Sequence, residues 1–527
     1  MSALLKASNL NQDYQLIDNP DLSIQDRLKD YYEDQGLYDK LFDQRDLKLE
    51  GTVIEHFVNT INNLINKQAK VLFVSDYDCD GVTSLTIMMR LFEHLGLHAN
   101  YYIPSRIKEG YGINCGIVEM AHRNHFDAII TLDNGIVAAE PIALANKYGI
   151  EVDIIDHHQY QELPKANAII HPNMLDSYYE GLCTGGLTYL ISKQFYEDDY
   201  SAILAMVATL ADVCKVYKAN RNILINGLER LNTYQGKPLP IHHLLKKQKA
   251  YSFTDISFQL VPKINAISRM DHLANVNMLA KYMLDVNDDN LDTAKQIEFI
   301  NNERKRISRE SADKIAKNIA LNENIMVVYD ESLVEGLCGL IATNLVKRFN
   351  KPCLVFTKGE DCIVKGSGRS VEGFDLYACL NQFKDLFTSF GGHQKAVGLS
   401  MSQDNFDVFK KKIKSCPFKL THCKKKCIVV HDEELKVDNF KFLNSLEPFG
   451  EGFTEPLFYI ERPKIKYKFL IKNLYPKFIF ENGAEAISFD KTNFVDNIEG
   501  MVGHIEVQTF GHKTNVDINI DQIVIKE

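Results

Sequence analysis

Three acidic motifs follow short apolar runs in this chain. Val74-Ser75-Asp76-Tyr77-Asp78-Cys79-Asp80-Gly81 sets three carboxylates at alternate positions. Thr131-Leu132-Asp133-Asn134-Gly135 and Ile154-Ile155-Asp156-His157-His158 repeat the pattern of an apolar run emptying into acid. Alternating carboxylates repel unless a cation sits among them, and hard oxygen ligands suit Mg²⁺ or Mn²⁺. Histidine is a common transition-metal ligand whose tautomer a neighbouring acid can fix. Each motif alone has an ordinary explanation. Asp-rich segments and Asp-Asn-Gly are frequent turns, and His242-His243 recurs with no acidic run before it and reads as surface or loop. The preceding apolar run is what sets the three apart. Asp212, closing the apolar stretch Ala208-Thr209-Leu210-Ala211, adds a fourth acidic group. Such a set can hold two hard cations, which together generate a nucleophile at neutral pH and stabilise both oxygens of a phosphoryl transfer. No Gly-x4-Gly-Lys-Ser/Thr loop is present, so nucleotide-driven motor work is unsupported.

The elements that must position these groups are legible as alternating short apolar runs and helical patterns. Val71–Ser75, Ala128–Leu132, residues 152–155 and Ala168–Ile170 read as buried strands, with helices over residues 85–95 and 138–148. That alternation predicts an α/β fold with a parallel sheet covered by helices, whose chemistry sits beyond the carboxyl ends of the strands. Residues 285–322 are polar and charged, with apolar residues at Ile297, Ile300, Ile307, Ile315 and Ile319. They predict one long solvated helix linking two lobes. A second α/β segment follows, with strands at 325–329 and 353–357. The tail alternates over short spans with turns at Asn482-Gly483 and Glu499-Gly500, the pattern of a small β domain or barrel.

The 527 residues suffice for three or four domains at roughly 100–200 residues each. The formal net charge of −10 excludes a uniformly basic coat, but a local basic groove on an acidic body remains compatible with nucleic-acid work. The first residues lack the basic start and apolar block of a signal peptide, and the apolar run near residues 201–213 is too short to span a bilayer. Eleven scattered cysteines without a secretion signal read as reduced thiols of a cytoplasmic protein. Cys416, His422, Cys423 and Cys427 lie close in sequence around Lys424-Lys425-Lys426 but lack the paired Cys-x2-Cys of zinc sites. A reduced basic linker is the simpler reading.

The order of the motifs resembles that of the DHH phosphoesterases: Asp76-Tyr77-Asp78-Cys79-Asp80-Gly81, Asp133-Asn134-Gly135, then Asp156-His157-His158. Within them the surroundings are similar to the RecJ family of single-strand exonucleases. The similar segments are Tyr102-Ile103-Pro104-Ser105-Arg106 with Glu109-Gly110-Tyr111-Gly112, and Lys263-Ile264-Asn265-Ala266-Ile267-Ser268-Arg269-Met270. Gly366-Ser367-Gly368-Arg369-Ser370 and Phe390-Gly391-Gly392-His393 resemble the DHH-associated (DHHA1) lobe. Glu447-Pro448-Phe449-Gly450-Glu451-Gly452 resembles the entry to an oligonucleotide-binding (OB) barrel. The resemblance runs from about residue 70 to at least 460. One departure is Leu333-Val334-Glu335-Gly336-Leu337, where relatives carry Trp-His-x-Gly-Val; this chain has no Trp.

The resemblance implies five segments: an N-terminal stretch (1–45), a parallel-sheet DHH lobe (46–225), a helical connector with the long linker helix (226–325), an α/β DHHA1 lobe (326–440) and a small OB-like β domain (441–527). It implies two Mn²⁺ or Mg²⁺ ions on Asp76, Asp78, Asp133, His157 and Asp212. By the same likeness His158 would sit by the reacting phosphate, Asp80 and Asp156 would orient ligands, and Arg269 would contact phosphate near the cut. Arg106, Ser367 and Arg369 would hold a 5′-terminal phosphate, with Asn265, Gly391, Gly392 and His393 also on the substrate. A guanidinium fork matches phosphate. The implied activity is 5′→3′ hydrolysis of single-stranded DNA in repair and recombination. A single-strand-binding protein and a repair helicase would be candidate partners, and no membrane would be involved. Stacking aromatics such as Tyr111 and Phe374 would serve the strand. The alternatives are a DHH phosphodiesterase of short oligoribonucleotides or cyclic dinucleotides, and a metal-free replication scaffold. Retention of every acidic ligand argues against the scaffold.

Overall fold

The computed structural model describes residues 3–5, 13–33, 41–43, 45–286, 290–319, 323–360, 362–416, 424–510 and 513–525. Val71–Ser75 (β1), Ala99–Tyr102 (β2), Ala128–Leu132 (β3), Glu151–Ile155 (β4) and Ala168–Ile170 (β5) form one sheet. Its order is β2-β1-β3-β4-β5, and every pairing is parallel. β1 and β3 are buried at all five positions, as expected of strands covered on both faces. The half-exposed β2, Ala-Asn-Tyr-Tyr, carried no apolar run and was not foreseen.

The register fixes the site. Ser75 pairs with Leu132, Leu132 with Ile155, and Ile155 with Ile170, so neighbouring strands end level. The ladder continues one residue further: Asp76 N donates to Leu132 O, Asp133 N to Ile155 O and Asp156 N to Ile170 O, at 3.0–3.2 Å. Adjacent strands lie about 4.8 Å apart, so Asp76, Asp133 and Asp156 emerge side by side. Below them the buried Asn134 amide donates to Val74 O and Leu132 O and accepts from Ile113 N, locking the strand ends. The helix Cys79–His94 packs beneath Thr184–Ser192 and Asp199–Ala211, all three nearly wholly buried.

The linker helix spans Leu291–Ala316, capped by Asn290 through Thr293 N. It packs on the helices Val261–Arg269 and Cys338–Phe349. A second sheet follows: Met326–Tyr329 (β6), Cys353–Lys358 (β7), Ile363–Arg369 (β8), Ser389–His393 (β9) and Ala396–Ser402 (β10), in the order β9-β10-β8-β7-β6. Only β6 and β7 pair in parallel. Its core, around Phe356, Phe406 and Phe409, also takes up Phe374. Phe374 is therefore no stacking platform, because its ring fills an interior site. Cys379 and Cys416 form a disulfide, correcting the expectation that all cysteines are reduced; among the described residues eight others are free. His422 and Cys423 of the cysteine-histidine cluster lie outside the described residues.

Residues 1–45, 215–221 and 422–527 make a separate compact unit. Its nine-stranded sheet runs Ala3–Leu5, Tyr14–Ile17, Lys425–His431, Phe458–Glu461, Ile498–Phe510, Lys513–Ile525, Glu485–Ser488, Tyr475–Phe480 and Ile465–Ile471. Lys425–His431, grouped by sequence with the second lobe, pairs instead with Phe458–Glu461 and with Tyr14–Ile17. The buried Arg27 explains part of this: it donates to Val429 O at 2.6 Å and pairs with Glu434. A buried guanidinium needs such partners, and they are supplied some 400 residues away.

Candidate active site

Two triads of ligand atoms meet at the carboxyl edge of the first sheet: Asp76, Asp78 and Asp133, and Asp133, His157 and His158. Within each triad the ligand atoms lie within 4.8 Å of one another. Asp133 belongs to both. It is buried and has φ 61°, a left-handed conformation that Asp and Asn tolerate better than other side chains. Its Oδ1 lies 3.2 Å from His157 Nε2, 3.7 Å from His158 Nδ1 and 3.4 Å from Thr184 Oγ1. Asp78 caps the helix Cys79–His94 through Gly81 N. A Cβ at Gly81 would fall 2.3 Å from Asp76 O, so only glycine allows this turn against the strand end.

The surrounding acids differ in what they touch. Asp212, at the end of the helix Asp199–Ala211, reaches to 3.7 Å from His157 Nδ1. Asp80 lies buried and accepts from Thr184 N and Gly185 N at 2.9 and 2.7 Å, at the start of the helix Thr184–Ser192. Its other neighbour is His157 Nε2, 3.8 Å away. Asp156 accepts from Ile136 N, His157 N and His158 N, and its Oδ1 lies 2.8 Å from His158 Nδ1. Both carboxylates are thus occupied by backbone amides and by the imidazoles beside them.

Burial, then the charge of Asp78, pushes the Asp76 carboxyl well up; burial, then Asp80 and Asp78, does the same to Asp133. Burial raises Asp80, and burial with Asp80 raises Asp212 to about 6. Asp156 runs the other way: burial is outweighed by the His158 hydrogen bond, which holds it low. His158, despite burial, is raised to about 9 by that same bond. Asp76 Oδ1 is buried with no hydrogen-bond partner, an arrangement that is costly for a carboxylate oxygen. An orphaned oxygen, clustered carboxylates and imidazole nitrogens fit a pair of hard divalent cations.

Facing this centre is a cluster of guanidinium groups. Burial, then Arg106, Arg304 and Arg369, lowers Arg269 to about 10. Arg106 lies over the Tyr77 ring at 5.0 Å, beside the acidic loop. Its own loop is held by Glu109, which accepts from Tyr102 Oη and Ser105 N. Arg369 donates to Gly368 O and approaches Gly339 at the start of Cys338–Phe349. Gly336 lets that region close on Arg269, since a Cβ there would sit 2.4 Å from Arg269 O. This is the one residue the Leu333–Leu337 departure must keep. Asn265 accepts from Cys79 N at 2.9 Å, so its carbonyl holds the acidic loop.

Strand pairing organises the rest. Ser367 lies opposite Gly398, and Gly398 opposite Gly391. Arg369, Ala396 and His393 form the next row. Cβ atoms at Gly366 and Gly368 would strike Phe356 and Leu354 of the core, while Gly391 and Gly398 face open space. Alternation therefore puts Lys365, Ser367 and Arg369 on an open, almost bare face. His393, expected in a loop, lies exposed on an edge strand. Gly392 serves the turn, where a Cβ would meet Ala396 O at 2.3 Å. Sequence reasoning missed Thr184, Arg304 and Gly398, which sit in ordinary helix and strand contexts. It placed Tyr111 in the Glu109–Gly112 segment and among the stacking aromatics, with no contact to the acidic centre. The Tyr111 hydroxyl donates to Asp133 O at 2.6 Å and lies 3.1 Å from His158 Nδ1.

The comparisons agree with this architecture. Residues 70–213 match the DHH family, N-terminal domain; residues 322–416 match the DHHA1 domain; residues 428–522 match the RecJ OB domain. The chain is 27% identical to the single-stranded-DNA-specific exonuclease RecJ of Bacillus subtilis, over 89% of this chain and 63% of that one. It spans less than two thirds of that relative's length. The Escherichia coli protein of the same name is 27% identical, with 77% of each chain covered. The structure of RecJ from Thermus thermophilus in complex with Mn²⁺ superposes with a TM-score of 0.80 at 20% identity, covering 96% of this chain and 76% of that one. This likeness shows a shared fold.

Proposed function

We propose that this chain, which belongs to the DHH family, hydrolyses phosphodiester bonds of single-stranded DNA from the 5′ end with two divalent ions. The observation that carries the reading is Asp133, shared by two ligand triads opposite the arginine cluster. Asp76, Asp78, Asp133, His157 and Asp212 would hold Mn²⁺ or Mg²⁺, the ions named for the Thermus thermophilus structures. Bound there, the ions would supply a water made nucleophilic at neutral pH and neutralise charge developing on the phosphate.

The chain's own groups do the remaining work. Asp156 keeps His158 protonated and oriented, so His158 can hydrogen-bond the scissile phosphate or pass a proton to the departing 3′ oxygen. Arg269 neutralises that phosphate. Arg106, Ser367 and Arg369 take the terminal 5′ phosphate, which sets direction. The bare row Ser367–Gly398–Gly391 allows a sugar-phosphate backbone to lie close to the sheet. In the β unit, exposed Tyr467, Phe469 and Phe489 beside Lys466 and Lys468 offer stacking and charge to single-stranded bases.

Among the described residues no helix is long and apolar enough to cross a membrane. The activity belongs in the cytoplasm, with an unwinding helicase and a single-strand-binding protein as the partners that present the strand. The test is degradation of single and double strands labelled at either end, with Mn²⁺ or EDTA. Release of the 5′ label first, as mononucleotide and from single strands only, is expected. Initial release of the 3′ label, or undiminished digestion in EDTA, would overturn the reading.

A further inference from the structure

A cavity of about 450 Å³ opens between the linker helix Leu291–Ala316 and the helix Cys338–Phe349. Its lining carries Arg304, Lys305, Arg309 and Arg348 against a single carboxylate, Asp313. That carboxylate is already engaged: Arg348 Nη2 lies 2.9 Å from its Oδ1, and Arg309 Nε 4.0 Å from its Oδ2. One carboxylate against four cations leaves three positive charges that the lining does not neutralise. Arg304 is the more constrained of the four. Its Nε is buried with no hydrogen-bond partner, and burial lowers its pKa. Buried donors are ordinarily satisfied, so an acceptor is wanting here.

The rest of the lining is not that of a bare ion site. Leu340 supplies a partly exposed apolar surface, whereas Leu345 is fully buried, and Ser308 and Asn344 add neutral hydrogen-bonding groups. The volume lies within the range of small-ligand pockets, about 300–1,000 Å³. Cations along the cavity, one apolar surface and two neutral polar groups match the three parts of a nucleotide: phosphate, base and sugar.

We infer that this cavity is a second phosphate site that takes one nucleotide unit, with its phosphate on Arg304, Lys305 and Arg309 and its base against Leu340. It shares Arg304 with the arginine cluster above, that residue being close enough to Arg269 to affect it, while Lys305 and Arg309 belong to the cavity alone. The unit has two sources with the same chemistry: a free 5′-mononucleotide or a nucleotide within the strand.

The experiment uses the full chain in EDTA, so that no turnover occurs, and titrates it with dTMP, thymidine and a twenty-residue oligothymidylate by calorimetry. The double variant Lys305→Glu/Arg309→Glu alters two exposed positions and leaves the proposed catalytic groups untouched. For a free nucleotide, the double variant binds dTMP at least tenfold more weakly, thymidine binds neither protein measurably, and the oligonucleotide is unaffected. For a strand unit, the affinity for the oligonucleotide falls at least tenfold as well. Equal binding of dTMP and of the oligonucleotide by both proteins would overturn the inference. So would dTMP binding that Arg369→Ala abolishes and the double variant leaves unchanged. The nuclease assay reads the active site separately, so failure of one proposal does not imply failure of the other.

Discussion

Replacing Asp133 by Asn separates the charge of the shared ligand from its conformation. Asn tolerates the left-handed backbone at this position, φ 61°, whereas Ala would add strain of roughly 1–2 kcal/mol. Asp133→Asn thus keeps the turn and removes one negative charge from a crowded site. Its ligand atom lies within 4.8 Å of those of Asp76 and Asp78. Two unit charges at that separation repel by about 3.5 kcal/mol at an effective dielectric constant of about 20. A carboxyl escapes part of this by holding a proton, the direction in which Asp76 and Asp133 are both displaced. The gain from removing the charge is therefore smaller, on the order of 1–3 kcal/mol. In EDTA the variant should melt a few degrees above the parent.

With metal the order should invert. An ion at a hundred times its Kd stabilises the parent by about 2.7 kcal/mol, and the variant, lacking a ligand common to both triads, should lose most of that. Turnover on an end-labelled single strand should fall at least about a hundredfold, equivalent to about 2.7 kcal/mol of transition-state stabilisation. Thermal melts in EDTA and in Mn²⁺, beside the rate of mononucleotide release, make the full measurement. The reasoning fails if Asp133→Asn melts below the parent in EDTA, if Mn²⁺ stabilises both proteins equally, or if more than about a tenth of the rate survives.

Metal-free protein should lose stability as pH rises from about 5 to 9. Asp212 keeps its proton to about 6 in the folded state against about 3.9 unfolded, and His158, raised to about 9, contributes stability that is full below about 6.5 and lost above 9; melts in EDTA that rise with pH over this window would contradict both assignments. The Mn²⁺-induced increase in melting temperature should grow over the same range, because the ion competes with protons for its ligands. After chelation, Mn²⁺ or Mg²⁺ should restore activity and Zn²⁺ should do so poorly, since the donors are mainly carboxylate; full rescue by Zn²⁺ would indicate a softer site. Arg369→Ala should weaken binding of 5′-phosphorylated strands by roughly ten- to a hundredfold, from a charge-assisted contact of about 1.5–3 kcal/mol, with little effect on strands lacking the phosphate. Equal loss on both substrates would remove the case for 5′→3′ direction.

The acidic centre was legible because buried parallel strands write themselves as unbroken apolar runs. Once β1, β3 and β4 are recognised, the residue after each run must lie on one edge of the sheet, and those residues are Asp76, Asp133 and Asp156. What stayed hidden is what that rule does not reach. Arg304 lies on a polar helix beside Lys305, Arg306 and Arg309, and only the packing against Cys338–Phe349 distinguishes it. Thr184 opens a helix, and nothing local says that its N–H is directed at Asp80. The pairing of Tyr14–Ile17 with Lys425–His431 joins segments about 400 residues apart, which no local periodicity records. Phe374 failed for the opposite reason: an aromatic in a glycine-rich segment looks available until the lobe closes over it.

The two halves of the site share one physical property. On one side, carboxylates forced together by level strand ends lack enough cations; on the other, Arg106, Arg269, Arg304 and Arg369 gather with their charges unmatched, and burial already weakens Arg269 as a cation. The two halves satisfy each other only in part, through Arg106 acting on Asp76 and Asp78 acting on Arg269. The acids are bound into the strand ends by the sheet register, and the guanidinium groups come from β8, the linker helix, the Val261–Arg269 helix and the loop after β2. Divalent ions on the first half and a phosphate on the second would resolve both imbalances, and a phosphate placed between them would touch both. Each ligand then improves the field for the other, and by linkage the effect is reciprocal. An arrangement that is electrostatically costly when empty is thereby selective for the one combination, metal plus phosphate, that the proposed reaction needs.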